Sequence, residues 1–149
     1  MGKATFVNVP TDATVLDFTV ADGTAISKGS LMFLSGTRTA INLGPATGGV
    51  DGLGNNAFVG ILESDKEAND GQTEMGCIQE GIFDVSCALG NPPGEGQMVS
   101  VSGADTVRLM PIGIQTSGGS IVGQSLETAT GNTQVEIRIT PGNAGGTAA

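Results

Sequence analysis

The amino-acid sequence predicts an all-β protein, a compact barrel-like or sandwich-like domain made of two similar β-rich halves. Short β-prone runs alternate with turns that contain glycine or proline, and no segment sustains an apolar period of 3.6 residues. One pattern also occurs twice: residues 28–36 read KGSLMFLSG and residues 95–103 read EGQMVSVSG. In each copy a charged residue and a glycine open a strand-like run that a Ser-Gly turn closes, which indicates an internal repeat.

The spacing of the two copies favours duplication over chance, although glycine, serine and valine are abundant in the chain. Gly29 and Gly96 are 67 positions apart, and Gly36 and Gly103 are also 67 positions apart, so no gap is needed to align them. If the two runs are equivalent strands of one core, Gly29 and Gly96 are expected to share a backbone conformation.

A second pair of segments extends the repeat. Residues 58–64 (FVGILES) resemble residues 121–128 (IVGQSLET), and each is followed by a turn and an alternating strand. The predicted equivalent positions are Gly60 with Gly123 and Glu63 with Glu127. We therefore predict one β domain over residues 24–140, with copies over about residues 25–79 and 95–140.

The segments outside the two copies have separate roles in this prediction. Residues 1–23 form an N-terminal arm and a first strand, and Gly81 and Phe83 belong to a piece that crosses from the first half to the second. The glycine-rich residues 44–56 are a mobile loop, and residues 141–149 are a flexible Gly/Ala/Thr tail.

The N-terminal arm carries the candidate contact site. It is β-prone, lies outside the repeat and is ended by Pro10, so the sequence shows no obvious strand partner for it within the chain. Such a segment can add to a sheet edge of another protein, or it can be an edge strand of its own barrel; both interpretations remain open. The candidate contact residues are Thr5, Phe6, Val7, Asn8 and Val9.

The composition narrows the classes of protein that fit. The 149 residues carry a net charge of −9, only five phenylalanines and no tryptophan, tyrosine or histidine. Large aromatic side chains usually dominate buried area, so this core is thin and self-association would help it. The negative charge disfavours nucleic-acid binding. We also expect a soluble protein, because neither a membrane-spanning apolar run nor an export signal is evident.

The sequence offers little chemistry, and we expect no enzyme, cofactor or metal. Without histidine a Ser-His-Asp triad is excluded, and paired carboxylates such as Glu63 with Glu127 fit surface charges better than a glycosidase that lacks aromatic residues. The acidic residues 64–71 fit a solvated hairpin tip better than a calcium loop, since Lys66 interrupts them. Cys77 and Cys87 could form a disulfide, but two buried thiols are favoured.

With these features in place, the chain resembles the capsid decoration (cement) proteins of tailed bacteriophages. The residues that carry the resemblance are glycines and alternating apolar positions that occur in the same order twice, over about residues 24–140: Gly29, Gly60, Glu63, Gly81, Phe83, Gly96 and Gly123. The resemblance implies a small trimeric β-rich knob on the outer surface of the capsid, at three-fold and quasi-three-fold positions.

The resemblance also implies the partners and the location. The expected partners are the major capsid protein and two further copies of the chain, with no nucleic acid and no membrane; the protein would be made in the host cytoplasm and reside in the virion. The alternative is a β-rich tail-fibre or receptor-binding module, although such a module would normally expose aromatic residues to bind sugars.

Overall fold

A computed structural model describes residues 3–42, 58–87, 92–103, 105–109, 121–129 and 134–140. These residues form β-strands and turns and contain no helix, which confirms the all-β prediction. The strands are β1 (Thr5–Asn8), β2 (Val15–Thr19), β3 (Leu31–Gly36), β4 (Thr39–Asn42), β5 (Phe58–Leu62), β6 (Glu74–Ile78), β7 (Ile82–Cys87), β8 (Met98–Gly103), β9 (Thr106–Leu109), β10 (Ile121–Ser125) and β11 (Gln134–Ile139).

The strands close into two five-stranded barrels that follow one another along the chain. The first barrel has the strand order β2-β4-β3-β5-β6, and the second has the order β7-β9-β8-β10-β11. Each barrel contains four antiparallel pairs and one parallel pair, β2 with β4 or β7 with β9. Every pairing in the first barrel thus has a counterpart in the second, which confirms the two similar halves.

The repeat is longer than the sequence pattern predicts. Strands β2 and β7 are the first strands of the two barrels, whereas the predicted copies begin only at residues 25 and 95. Thr19 pairs with Thr39, and Ser86 pairs with Thr106, each residue 67 positions after its counterpart. The piece containing Phe83 is therefore a barrel strand as well as the connection between the halves.

The turns that enter and close the β3-β4 and β8-β9 hairpins are matched in backbone conformation. Gly29 and Gly96 have φ of 90° and 80°, as expected for equivalent positions. Arg38 and Asp105, again 67 positions apart, have φ of 47° and 53°, a conformation that non-glycine residues adopt at a cost. Both hairpins also shift register two residues before these positions, at Gly36 and Gly103. The duplicated turns have therefore kept their geometry while the side chains diverged.

The glycine in the fourth strand of each barrel is needed for close strand packing. A Cβ on Gly60 would lie 2.5 Å from the Ile78 carbonyl oxygen, and a Cβ on Gly123 would collide with the Arg138 carbonyl oxygen. Both glycines lie at a register shift in the pairing with the preceding hairpin. The predicted equivalence of Gly60 and Gly123 thus has a steric basis, because a side chain would push the neighbouring strand away.

Each barrel has an apolar interior, and the two interiors use equivalent positions. The first interior includes Phe18, Val20, Met32, Ala40, Val59, Met75 and Cys77; the second includes Val85, Cys87, Val99, Val107, Val122, Val135 and Ile137 in the same order. Most of these side chains are aliphatic, as the scarcity of aromatic residues predicts. Burial of such residues provides the main favourable free energy of folding.

The outer face of the first barrel is apolar because the second barrel packs on it. Leu31, Phe33, Phe58, Ile61 and Ile78 are buried in one continuous cluster with the interior of the second barrel. The rings of Phe33 and Phe58 meet edge to face, with centroids 5.5 Å apart. At the five equivalent positions the second barrel keeps apolar residues at Met98 and Ile121 and has polar ones at Ser100, Gln124 and Arg138. The copies therefore diverged where one barrel packs on the other.

One predicted equivalence is displaced by a residue. In the first barrel the Glu63 amide donates to the Gly76 carbonyl. The equivalent hydrogen bond of the second barrel runs from the Leu126 amide to the Glu136 carbonyl. Glu63 therefore corresponds to Leu126 and not to Glu127. The predicted loop at residues 44–56 and the tail at residues 141–149 lie outside the described residues.

Candidate protein-interaction surface

The predicted contact segment is a strand that already has a partner in its own chain. Residues Thr5, Phe6 and Asn8 of β1 pair with β7 in antiparallel register, and Val9 contacts the backbone bend at Gly81. The premise that this segment lacks a partner within the chain is therefore wrong. The interpretation as an edge strand of its own barrel describes the fold, and any contact of β1 with another protein would use its outer surface.

Side chains and backbone both hold β1 in place. The Phe6 and Phe83 rings meet edge to face with centroids 5.1 Å apart, and the Lys28 ammonium lies 4.7 Å from the Phe6 centroid. The Ala4 amide donates to the Gly29 carbonyl at 3.0 Å. Because Phe83 is fully buried beneath this strand, β1 is part of the core of the second barrel.

The first barrel lacks the strand that covers this edge in the second barrel. By the 67-residue offset, Val15, Leu16 and Asp17 of β2 correspond to Ile82, Phe83 and Asp84 of β7. The described residues place β1 against that part of β7, but on the side of β2 away from β6 they place no strand against Val15–Asp17, since β4 reaches β2 only at Thr19. Among the described residues, the same sheet edge is therefore paired with a strand in one barrel and unpaired in the other.

Two of the exposed apolar side chains lie at this edge. Among the described residues, the large hydrophobic side chains that are exposed are Val7 (46%), Val15 (38%) and Leu16 (42%), on β1 and the start of β2. Single exposed apolar residues are normal, but adjacent ones on an unpaired strand form a site for strand pairing with another chain. Sequence analysis missed this surface, because the alternating pattern of residues 15–20 shows only that a strand forms there.

The open edge is also acidic. The Glu63 carboxylate and the Val15 side chain both lie over Gly76, and the Glu80 carboxylate accepts the Thr14 amide at 2.8 Å. Asp17 lies exposed on β2 between them. Burial raises the pKa of the Cys77 thiol to about 12, with smaller contributions from the Glu63 and Asp17 carboxylates. Three carboxylates thus lie near the start of β2, with Glu63 and Glu80 on its β6 side.

One basic side chain marks the end of this edge. The Arg38 guanidinium donates to the Asp17 carbonyl oxygen at 2.5 Å and lies 5.4 Å from the Phe18 centroid. Arg38 thereby covers the part of β2 next to β4 and leaves Val15 and Leu16 uncovered. The two cysteines take no part, since Cys77 lies in the interior of the first barrel and Cys87 in the second, with no disulfide between them.

Asp105 connects the two barrels from the β8-β9 turn. Its carboxylate is 4% exposed and accepts the Leu31 amide and the Asn42 side-chain amide, both at 2.9 Å. The same carboxylate binds the Lys3 ammonium at 2.5 Å. Asp105 therefore ties the second barrel to the first barrel and to the segment before β1, a structural role that composition alone does not reveal.

The acidic residues 64–71 surround a buried lysine. The Lys66 ammonium is buried and donates to the Asp22 and Glu67 carbonyls and to the Asp70 carboxylate, each at 2.9 Å. The Lys66 backbone also forms an isolated antiparallel bridge with Ile26. The described residues contain no cluster of metal-ligating side chains.

The surface depressions do not assemble paired catalytic groups from the described residues. A depression of about 430 Å³ lies between β8 and β10 and has Glu95 as its one titratable lining residue. A second, of about 280 Å³, is lined by residues of the 21–26 and 40–42 segments, none of them titratable.

No helix in the described part of the chain is long and apolar enough to cross a membrane.

No protein-family model matches the chain, and no curated protein has a significantly similar sequence.

Proposed function

We propose that the chain is a non-enzymatic capsid decoration protein that binds the outer surface of a phage head at three-fold and quasi-three-fold positions and stabilises the expanded lattice. The observation that carries the proposal is the pair of exposed apolar side chains Val15 and Leu16 on the part of β2 that β4 does not reach, with a third such side chain, Val7, on β1. That edge fits a protein partner, and the duplicated glycine pattern resembles decoration proteins.

The physical mechanism is linkage between binding and lattice stability. A protein that binds the assembled, expanded lattice and not its free subunits stabilises the lattice by the free energy of that binding. A homotrimer with one such edge per copy contacts several capsid subunits at once, so weak individual contacts combine into strong overall binding. In this proposal the protein is made in the host cytoplasm and resides on the outside of the virion.

The direct test is sedimentation of the purified protein with empty expanded heads. We expect saturable binding to expanded heads, little binding to unexpanded ones, and a higher temperature of head disruption when the protein is bound. Failure to pellet with expanded heads, combined with binding to host-cell surfaces, would contradict the proposal and favour the receptor-binding alternative.

The contribution of β1 to head binding is tested with a surface substitution and not with a deletion. Deleting residues 1–10 would uncover Phe83, so loss of binding and loss of the fold could not be told apart. Val7→Asp places a charge on an exposed side chain and leaves the pairing of Thr5 and Asn8 with β7 intact. We expect Val7→Asp to reduce head binding while Thr37→Asp, in an exposed turn of the first barrel, does not; equal binding would exclude β1 as a contact.

A trimer in solution or on the lattice is the second measurable part of the proposal. The aliphatic core leaves apolar strand surface that symmetric association can bury. Light scattering or analytical ultracentrifugation is expected to give a mass near three times 14.8 kDa. A monomeric mass in solution together with one bound copy per site on heads would rule out the trimer.

A further inference from the structure

The β7 edge that β1 covers has an equivalent in β2 at Val15–Asp17, and among the described residues no strand covers that equivalent edge. On the β6 side of β2, the Thr14 carbonyl accepts a hydrogen bond from the Gln79 amide, and the Val20 amide donates to the Thr73 carbonyl. Alternation along an antiparallel ladder therefore turns the backbone groups of Val15 and Asp17 to the opposite side. Apart from the Asp17 carbonyl, which accepts from Arg38, these groups have no hydrogen-bond partner among the described residues.

The second barrel shows what fits this edge. Its equivalent residues Ile82 and Asp84 face β1, which pairs with them through Asn8 and Thr5. The Phe6 ring then packs on Phe83, which has no exposed surface. The equivalent of Phe83 in the first barrel is Leu16, which is 42% exposed. The difference in exposure follows from the presence of a covering strand in one barrel and its absence in the other.

We propose that the open edge of β2, at Val15–Asp17, binds an extended basic segment of a partner protein by strand addition, in the position that β1 takes on β7. The added strand contributes main-chain hydrogen bonds to Val15 and Asp17 and places a large apolar side chain over Leu16. The identity of the partner rests on the proposed function, under which the segment belongs to the capsid lattice protein.

The charge around the edge determines the kind of segment that it accepts. The Asp17 carboxylate belongs to an edge residue, and the Glu63 and Glu80 carboxylates lie nearby on the β6 side of β2. A lysine or arginine next to the apolar anchor therefore gains favourable electrostatic interactions. The strand β1 has the same character, because residues 3–9 include Lys3 and Phe6 and no acidic residue. The internal template and the charge thus point to the same chemistry.

A second copy of the chain fits this edge less well than a basic partner does. The β1 strand of every copy is already paired with β7, so moving it to another molecule exchanges one set of strand contacts for another without net gain. Each copy also carries a net charge of −9, which opposes edge-to-edge association of two acidic strands. A separate basic segment incurs neither cost.

The edge can be tested without knowing the partner, using a synthetic peptide with the sequence of residues 3–9, KATFVNV. We expect the peptide to shift the amide resonances of Val15 and Asp17 in the full-length protein. Val15→Pro should weaken this binding at least tenfold, because the proline removes an amide that faces the open edge and not the β6 ladder. Peptide-induced shifts at Ile82 and Asp84 alone, or no shifts, would overturn the proposal.

A pair of charge substitutions gives a test that does not depend on a proline. Asp17→Lys and Glu95→Lys make the same change of charge at exposed positions, one on the open edge and one in the second barrel. Asp17→Lys is expected to weaken peptide binding several-fold, whereas Glu95→Lys should leave it nearly unchanged. Equal effects would show that binding follows net charge and not the edge, and would contradict the proposal.

Sedimentation with phage heads tests the identity of the partner separately from strand addition at the β2 edge. If the wild-type protein pellets with expanded heads and Val15→Pro does not, the lattice protein supplies the segment. If both proteins pellet equally, the lattice protein does not supply the segment. If the wild-type protein fails to pellet, the proposed function is wrong, and the peptide experiment still tests whether the β2 edge binds a strand. Loss of a trimer in Val15→Pro would identify a second copy as the occupant, and peptide binding only after removal of residues 141–149 would identify the tail; either result refutes the proposal.

Discussion

At the scale of single residues, Asp105 shows how one duplicated position acquired a new role. Asp105 and Arg38 occupy equivalent turns with φ of 53° and 47°, yet Arg38 is exposed and Asp105 is buried between the barrels. The Asp105 carboxylate satisfies the Leu31 amide, the Asn42 side chain and the Lys3 ammonium. A buried carboxylate is tolerated only when it is paired in this way.

Replacing Asp105 by alanine should therefore destabilise the protein much more than replacing its counterpart. Loss of the carboxylate leaves the Leu31 amide buried without its acceptor, and we expect the free energy of unfolding to fall by about 3 kcal/mol. Urea denaturation measures the change. Arg38→Ala is the matched control and should change stability by less than about 1 kcal/mol, since its side chain is exposed; similar losses would contradict the connecting role of Asp105.

A second residue-scale feature is the acidic loop around Lys66. The Asp70 carboxylate accepts the Gln72 amide, the Lys66 ammonium and the Glu67 amide. These hydrogen bonds, with the Gln72 amide as the largest contribution, lower the pKa of Asp70 from 3.8 to about 2. The charged form of Asp70 is therefore favoured by the folded state.

The lowered pKa of Asp70 predicts a specific loss of stability in acid. The unfolded chain binds a proton at Asp70 near pH 4 while the folded protein does so only near pH 2, so this contribution is present above pH 4 and is lost as the pH falls to about 2. Urea denaturation across this range should show a shallower dependence on pH for Asp70→Asn. Glu95→Gln, a carboxylate outside the Lys66 loop, is the control, and identical curves for Asp70→Asn and wild type would refute the prediction.

At the scale of elements, β1 covers an edge of the second barrel and rests on the turn at Gly29. A Cβ on Gly29 would lie 2.5 Å from the Ala4 carbonyl oxygen and 3.1 Å from the Lys3 Cβ. Gly96, its counterpart, has the same type of backbone conformation but no atom within 4 Å of the added Cβ. The close approach of the N-terminal segment to Gly29 is therefore a contact that the second copy lacks.

This difference makes Gly29 and Gly96 a matched pair for measuring how β1 is held. Gly96→Ala should cost about 1–2 kcal/mol, which is the penalty for placing a side chain in the left-handed conformation. Gly29→Ala carries the same penalty and must also displace the segment before β1, so a larger loss is expected. Chemical denaturation gives both values, and hydrogen exchange should show faster exchange at Phe6 and Phe83 in Gly29→Ala alone. Equal losses would mean that this segment packs loosely on the turn.

At the scale of the whole molecule, the two barrels depend on each other for burial. Phe33 lies on the face between the barrels, whereas Val101 lies inside the second barrel, and both are almost completely buried. Strands β3 and β8 are equivalent, but Phe33 itself corresponds to Ser100. The outer face of β3 therefore packs between the barrels, whereas the inner face of the equivalent strand β8 packs inside the second barrel.

Both Phe33→Asp and Val101→Asp are expected to prevent stable folding, because each places an unpaired charge in an apolar environment. Circular dichroism and thermal unfolding should show loss of the native transition in both variants. Thr37→Asp, in an exposed turn, is the control. A folded Phe33→Asp protein with a native transition would show that the two barrels do not need each other to fold.

The sequence by itself determined the fold class, the presence of two similar halves and the positions of the paired glycines. These features are local, because turns need glycine at particular conformations and half-buried strands need alternating side chains. The same 67-residue offset also joins Asp17 with Asp84 and Gly23 with Gly90, a signal in the sequence that would have extended the repeat to β2 and β7.

Only the tertiary structure decided which strands close each barrel, that β1 covers the β7 edge, and that no strand among the described residues covers the equivalent edge of β2. Leu16 and Phe83 are both apolar residues on equivalent strands, yet one is exposed and the other is buried. Asp105 likewise acquires its role from Leu31 and Lys3, far away along the chain. Side-chain pattern reports the local tendency toward burial, whereas the identity of the covering partner depends on contacts between distant parts of the chain.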